Sequence, residues 1–432
     1  MDVWALVMFA ALFVLLLAGF PVAFTLGAVA LAFGSIFLGF DFFNLLPLRI
    51  WGIMTNFTLL AVPLFVFMGV ILEKSGIAEE LLETMGRLFG RIRGGLAISV
   101  VAVGALLAAT TGVVGASVVT MAVIALPAMI KHGYAPTLAS GTIAASGTLG
   151  QIIPPSIILI LLGDVIGVPV GQLFIAAAVP GMMLVLAYMA YIGFIAWRHP
   201  ELAPAIENSP DDEHLGFKVV KSLLPPLALV LAVLGSIFFG VASPTESAAV
   251  GALGAMILAL LHGRLNLSNL QTALQQTTRL TSMVFLILIG ATAFGLVFVG
   301  MGGDNLIFDL FNSLPGGKWS FLIVSMLLIF VLGFFLDFIE ICFIVVPIIA
   351  PVAIHMGLDP LWFALLIALN LQTSFLTPPF GFSLFYLKAS APSLELTTIY
   401  RGIVPFIIIQ LVVLAILIAF PAVALWLPGL MG

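Results

Sequence analysis

Apolar residues dominate this chain in long runs, and the breaks between them are made by glycine, proline and a few charged stretches. Residues 3–39 read as two apolar helices meeting at Gly19, Phe20 and Pro21, and a third helix is expected over roughly 51–73. The runs 94–130, 172–197, 222–242 and 402–427 reach the roughly 20 residues that a helix needs to cross a bilayer. Residues 220–262 read as two spans broken at Ser243, Pro244, Thr245 and Glu246. Segment 73–93 has another pattern. Leu81, Leu82, Met85, Leu88 and Phe89 recur at helical spacing, and the acids precede the arginines. A narrow apolar stripe under a charged face predicts an amphipathic helix lying along the membrane surface. A second such arm is expected at 264–279, and 199–218 reads as an acidic, proline-containing, exposed linker.

Composition sharpens the class. The chain is 63% hydrophobic and 8% charged, against about 25% charged in soluble domains, so a water-soluble globule is excluded. The apolar runs are too long for the alternating strands of an outer-membrane barrel. The expected fold is an all-α polytopic membrane protein in a lipid bilayer. The first residues carry no basic region and no small-residue cleavage site, so the first helix is read as retained. Cys342 is the only cysteine, which leaves no disulfide frame and no thiolate metal site. No basic face suggests nucleic acid. No HExxH, paired intramembrane aspartates or phosphate loop suggests an enzyme or a bound cofactor. The 14 Lys and Arg fall partly in mixed-sign segments, and their order along the chain does not set the orientation.

One regularity points to function. Pro127, Gly133, Pro136, Pro154 and Pro155 recur as Pro351, Gly357, Pro360, Pro378 and Pro379, all at one offset of 224 residues. A proline pair ends a helix, because each ring removes an N–H and collides with the preceding turn. A lone proline in a span makes a kink. A matched pair at equal spacing favours two helical hairpins, near 136–165 and 360–390. Broken backbone inside a bilayer persists where it is buried in protein or lines a cavity, and twin interruptions mark a transporter's binding site. Half-helix C-termini present carbonyls and half-helix N-termini present N–H groups. Carbonyls with the hydroxyls of Ser146, Thr148, Thr373, Ser374 and Thr377 suit Na⁺, and the N–H ends suit an anion. Asp337 and Glu340 lie three apart on one helix face. An acid within a span is expensive and functional by default, which makes Asp337 the candidate ion-coupling acid. Asp164 reads as a loop acid at the exit of the first break.

Seven stretches in order carry a family resemblance. They are GFPVAFTLG at 19–27, VPLFVFMGVILEKSGIAEELL at 62–82, GVVGASVVTMAVIALPAMIKHGY at 112–134, SGTLGQIIPPS at 146–156, SPTESAAVGA at 243–252, FLDFIEICFIVVPIIAP at 335–351 and LTPPFGFSLFYL at 376–387. The chain resembles, along essentially its whole length, the large DctM-like membrane subunit of tripartite ATP-independent periplasmic (TRAP) transporters. The resemblance implies inverted repeats, each with a re-entrant helical hairpin, forming an elevator-type transport domain that moves against a scaffold with amphipathic arm helices. It divides the chain into scaffold and first arm (1–93), first transport repeat (94–198), linker, scaffold and second arm (199–318), second repeat (319–392) and a C-terminal helix (393–432).

The resemblance further implies Na⁺-coupled import of an organic anion, often a carboxylate, across the bacterial inner membrane. A periplasmic substrate-binding protein would deliver it, and a small four-helix membrane subunit, here expected as a separate chain, would be the partner. One sodium site is implied at Ser117 with Gly150, Ile153 and Pro154, and a second at Gly333 with Ser374, Thr377 and Phe380. The substrate would lie near Ser146, Gly147, Thr148 and Thr373. Two departures stand out: the 112–117 stretch is poor in serine, and Ser374 stands where glycine is common. The alternative is a related ion-coupled anion transporter that works without a soluble receptor.

Overall fold

The computed structural model describes residues 2–112, 114–206, 215–313 and 315–431, so the middle of the acidic linker lies outside the described residues. Every regular element among the described residues is helical. The first half contains α1 (Asp2–Leu17), α2 (Val22–Phe37), α3 (Leu46–Met54), α4 (Ala61–Lys74), α5 (Ile77–Gly90), α6 (Gly95–Thr111), α7 (Val114–Lys131), α8 (Pro136–Thr148), α9 (Ile157–Ile166) and α10 (Val170–Arg198). The second contains α11 (Leu215–Phe238), α12 (Pro244–Leu261), α13 (Leu267–Gly300), α14 (Gly303–Asn312) and α15 (Lys318–Leu332). It continues with α16 (Phe338–Glu340), joined through a π-helical turn to α17 (Val346–His355), then α18 (Pro360–Leu376), α19 (Phe382–Ser390), α20 (Leu396–Ala419) and α21 (Ala422–Met431). By length and composition, seven of these helices can each cross a membrane, or eight if a bent pair counts as one span.

The 224-residue offset reaches well beyond the proline landmarks. It carries α1 and α2 onto α11 and α12, α3 and α4 onto α13, α5 onto α14, and α6 through α10 onto α15 through α20. The packing repeats with the halves exchanged: α12 lies along α4 as α2 lies along α13, and α11 meets α5 as α1 meets α14. Gly141 and Gly402 let α8 and α20 approach backbone to backbone, since a Cβ on either would strike the other helix's main chain.

Several expectations need correcting. The helix over 51–73 is broken at 55–57 and bends by 54° between 40–54 and 58–74. The run 94–130 is two helices turning at Gly112, which has φ 60°, a left-handed position that glycine occupies without steric cost. The run 402–427 is likewise interrupted between α20 and α21. Segment 264–279 is no separate arm. It begins the 34-residue α13, since nothing between 267 and 300 breaks the helix, and the counterpart of amphipathic α5 is α14. Beyond residue 392, α20 falls at the offset position of α10.

The hairpins at 136–165 and 360–390 also differ from expectation. After each proline pair the chain does not fold back along itself. Instead α9 packs on α10, α17 and α18, while α19 packs mainly along α7. The helices that lie side by side before each break are α6 with α7 and α15 with α17.

Contacts between distant segments define two ends of the molecule. At one, the Gly94 N–H donates to the Ala203 carbonyl at 3.0 Å, Ala135 to Leu202 at 3.0 Å, and Ile206 to Gly90 at 2.7 Å. There His262 Nε2 also lies 3.8 Å from Glu80, and Ser222 Oγ donates to the same carboxylate. At the other end, Asn56 Nδ2 donates to Asp164 Oδ1 at 2.5 Å, and Thr245 Oγ1 to the Phe57 carbonyl at 2.7 Å. Lys74, Arg87, Arg91, Arg93, Lys131, Arg198, Lys221 and Arg264 belong to segments at the first end, whereas Arg49 precedes Asn56 at the second.

Candidate functional site

The first break is wedged against α6 and α7. After Thr148 the helix tightens into a 3₁₀ turn, Leu149–Gln151, and restarts at Ile157. The Pro154–Pro155 peptide is cis, as is Pro378–Pro379. Ser146, Gly147, Thr148, Gly150, Pro154 and Pro155 are buried and Ile153 is half-buried. A Cβ on Gly150 would sit 3.1 Å from the Ala108 carbonyl oxygen, and one on Gly147 would lie 3.0 Å from Val118 Cα. Ser117 is buried on α7, beside that Val118. The Gly112 turn abuts the start of α9, with Ile157 Cγ1 3.1 Å from a Cβ placed there.

The second break faces outward. Thr373 and Ser374 are buried, Thr377 and Pro378 are half-buried, and Pro379 and Phe380 are exposed. Gly333, at the end of α15, lies directly against Ser374, since a Cβ on Gly333 would overlap its hydroxyl. The Phe335 and Phe380 rings lie 5.2 Å apart. Gly333, Ser374 and the Phe380 segment therefore meet, with Thr377 one turn on.

The hydroxyls at both breaks satisfy their own protons within the helix. Ser146 donates to the Ile143 carbonyl at 3.1 Å, Thr148 to Ala145 at 2.8 Å, Thr373 to Leu369 at 2.8 Å, Ser374 to Leu371 at 2.8 Å and Thr377 to Thr373 at 2.7 Å. Such back-bonding is common in apolar helices, and it leaves the oxygen lone pairs available. Hydroxyl oxygens of this kind are hard donors, the type of atom that could hold a small hard cation.

Asp337 and Glu340 sit where a helix begins, not within an unbroken one. They form a capping box at the start of α16: the Phe338 N–H donates to Asp337 Oδ1 at 2.7 Å, and the Asp337 N–H donates to Glu340 Oε2 at 3.1 Å. Asp164 ends α9 and is held by Asn56.

A crevice runs beside the breaks. Its inner part, about 140 Å³, is walled by Val62 and Val66 of α4 and by Leu280, Met283 and Val284 of α13, facing Gly115, Ile157, Asp337, Phe375 and Tyr386. Its outer part, about 390 Å³, shares Gly115, Leu280 and Tyr386 and adds Glu73, Thr120, Gln276 and Arg279. Arg279 and Tyr386 are the residues that sequence reasoning missed. The available signal was an arginine at the point where the polar start of α13 turns apolar.

Twin broken helices beside a crevice within an apolar helical body define a membrane transporter. Residues 9–423 match the family described as "Tripartite ATP-independent periplasmic transporter, DctM component", and the chain belongs to that family. It is 32% identical over 388 residues to the C4-dicarboxylate TRAP transporter large permease protein DctM of Pseudomonas aeruginosa, covering 90% of each chain. It is 31% identical to the sialic acid TRAP transporter large permease protein SiaM of Vibrio cholerae, covering 96% of each. It is 30% identical to the ectoine TRAP transporter large permease protein TeaC of Halomonas elongata, covering 98% of this chain and 99% of that one. In fold it is similar to the YdaH transporter of Alcanivorax borkumensis, with a TM-score of 0.64, 15% identity and coverage of 97% and 98%. The protein is accordingly a large TRAP permease, a multi-pass protein of the inner membrane.

Proposed function

We propose that this permease imports an organic acid in symport with Na⁺, by an elevator motion of the broken-helix bundle against a scaffold that includes α4 and α13. A periplasmic binding protein delivers the acid, and a separate four-helix subunit completes the complex. The observation that carries this reading is the seating of each break on its preceding helices, Gly150 on Ala108 and Ser374 on Gly333, with Ile157 after the first break and Phe375 before the second lining one crevice. C4-dicarboxylates, sialic acid and ectoine, the cargoes in the relatives' names, all carry a carboxylate. The positive-inside rule assigns the end rich in Lys and Arg to the cytoplasm. The crevice mouth, with Glu73 beside Lys74, then opens inward.

The test is uptake into proteoliposomes holding both membrane subunits, with the cognate receptor and a panel of organic acids, under an imposed sodium gradient. Accumulation of one acid that collapses when the gradient is removed is expected. Uptake indifferent to Na⁺ would overturn the coupling, and full uptake without any receptor would favour the receptor-independent alternative.

A further inference from the structure

The crevice mouth holds a cation that neither helix break requires. Arg279 lines the outer cavity from α13 and makes no ion pair with any described residue. The acid across the cavity, Glu73, already holds Lys74 at 3.4 Å. Deeper in, the wall is apolar except for Asp337 and Tyr386.

An anion entering such a space loses hydration and meets the Asp337 carboxylate, so its passage needs a compensating positive charge. A guanidinium suits that task, because its planar fork matches a carboxylate in two parallel hydrogen bonds and its charge cannot be lost to deprotonation. We propose that Arg279 is a specificity-determining residue of this permease, recognising the acid group of the cargo at the inward mouth of the crevice. This rests on the transporter reading above. Because Arg279 stands on α13 and not on the helices that carry the breaks, it meets the cargo only while the crevice faces this end. It therefore acts on the release side of the cycle.

The experiment needs no knowledge of the cargo. In a Cys342→Ala protein carrying Thr120→Cys in the outer cavity, the introduced thiol is labelled with an anionic (sulfonatoethyl) and a cationic (trimethylammonioethyl) methanethiosulfonate. Each rate is normalised to that of a free thiol. The anionic-to-cationic rate ratio is expected to fall about 25-fold on adding Arg279→Gln, because losing one charge about 4 Å away in a watery cleft changes each rate about fivefold in opposite directions. It should be held by Arg279→Lys. A ratio unchanged by Arg279→Gln overturns the proposal. Labelling does not depend on transport, so a shifted ratio in a protein that imports none of the panel acids counts against the transporter reading and not against the anion site.

Discussion

The two broken helices share a backbone plan and differ in chemistry. At the first, the small residue is on the break itself, Gly150 meeting Ala108. At the second it is on the preceding helix, Gly333 meeting Ser374. The same close approach is reached from opposite sides, which explains how a serine is tolerated at 374. The first break is buried, whereas the second exposes Pro379 and Phe380. Among the described residues, the acid at the inner crevice wall is Asp337, beside the second break; the sequence has Val113 at the same offset. Symmetry thus supplies two breaks alike in backbone, and their side chains differ. On the proposed function, the first would be a fixed seat and the second the one that responds to what enters the crevice.

The largest effect should come from undoing the small-residue exchange. Gly333→Ala places a methyl in the Ser374 hydroxyl, and overpacking of this kind costs about 2 kcal/mol. Thermal unfolding in detergent should show the loss, together with a weaker stabilisation by Na⁺. Adding Ser374→Gly should recover most of it, with the non-additivity expected of touching residues. Equal losses in the single and double variants would mean that the two residues do not share the strain.

Asp337→Asn tests whether the acid distinguishes the breaks. Asparagine caps a helix about as well as aspartate, so the fold should hold. Uptake should fall about tenfold, equivalent to about 1.4 kcal/mol, because the charge at the crevice wall is gone. Uptake at the original rate would reduce Asp337 to a helix cap.

These contrasts were only partly legible in the sequence. Five landmarks at one offset disclosed both breaks, because proline acts through local sterics that any context preserves. The amphipathic stripe of α5 was equally local: Ile77, Leu81, Leu82 and Met85 are buried while Glu79, Glu83 and Arg87 are exposed. Where the chain goes after each break was not legible. A proline pair states that a helix stops, and the path of α9 is set by contacts with α10, α17 and α18 that lie far away in sequence. The second arm was misplaced for a related reason. Polar residues at 264–279 gave an interfacial pattern, but no glycine or proline between 267 and 279 separates them from the span that follows. The Asp337-Phe338-Ile339-Glu340 spacing is also that of a capping box, a signal outweighed by the apolar run around it. The role of Arg279 depends on which helix faces it, which no local pattern encodes.

A smaller effect is expected where the two breaks differ by one hydroxyl. The offset pairs Thr377 with Ile153, so the second break offers a side-chain oxygen where the first offers only a carbonyl. Thr377→Val should raise the sodium concentration for half-maximal uptake about fivefold, in keeping with the loss of one oxygen contact to a charged group. Assembly with the small subunit should persist. Ile153→Ala, tested the same way, should leave the sodium response in place. Equal shifts in both variants would point to packing, not coordination, as the cause.

The mildest test concerns the seat of the first break. A methyl at Gly150 would lie 3.1 Å from the Ala108 carbonyl oxygen, 3.4 Å from its Cα and 3.5 Å from its Cβ, tight contacts that a shift of a few tenths of an ångström relieves. Gly150→Ala should therefore cost about 1 kcal/mol or less, below the loss from Gly333→Ala, where the methyl has no room at all. The sodium response should barely change, since Gly150 has no side-chain oxygen to lose. If instead Gly150→Ala destabilised the protein as much as Gly333→Ala, the buried break would be as tightly seated as the exposed one. The division between a fixed seat and a responsive one would then have to rest on Asp337 alone.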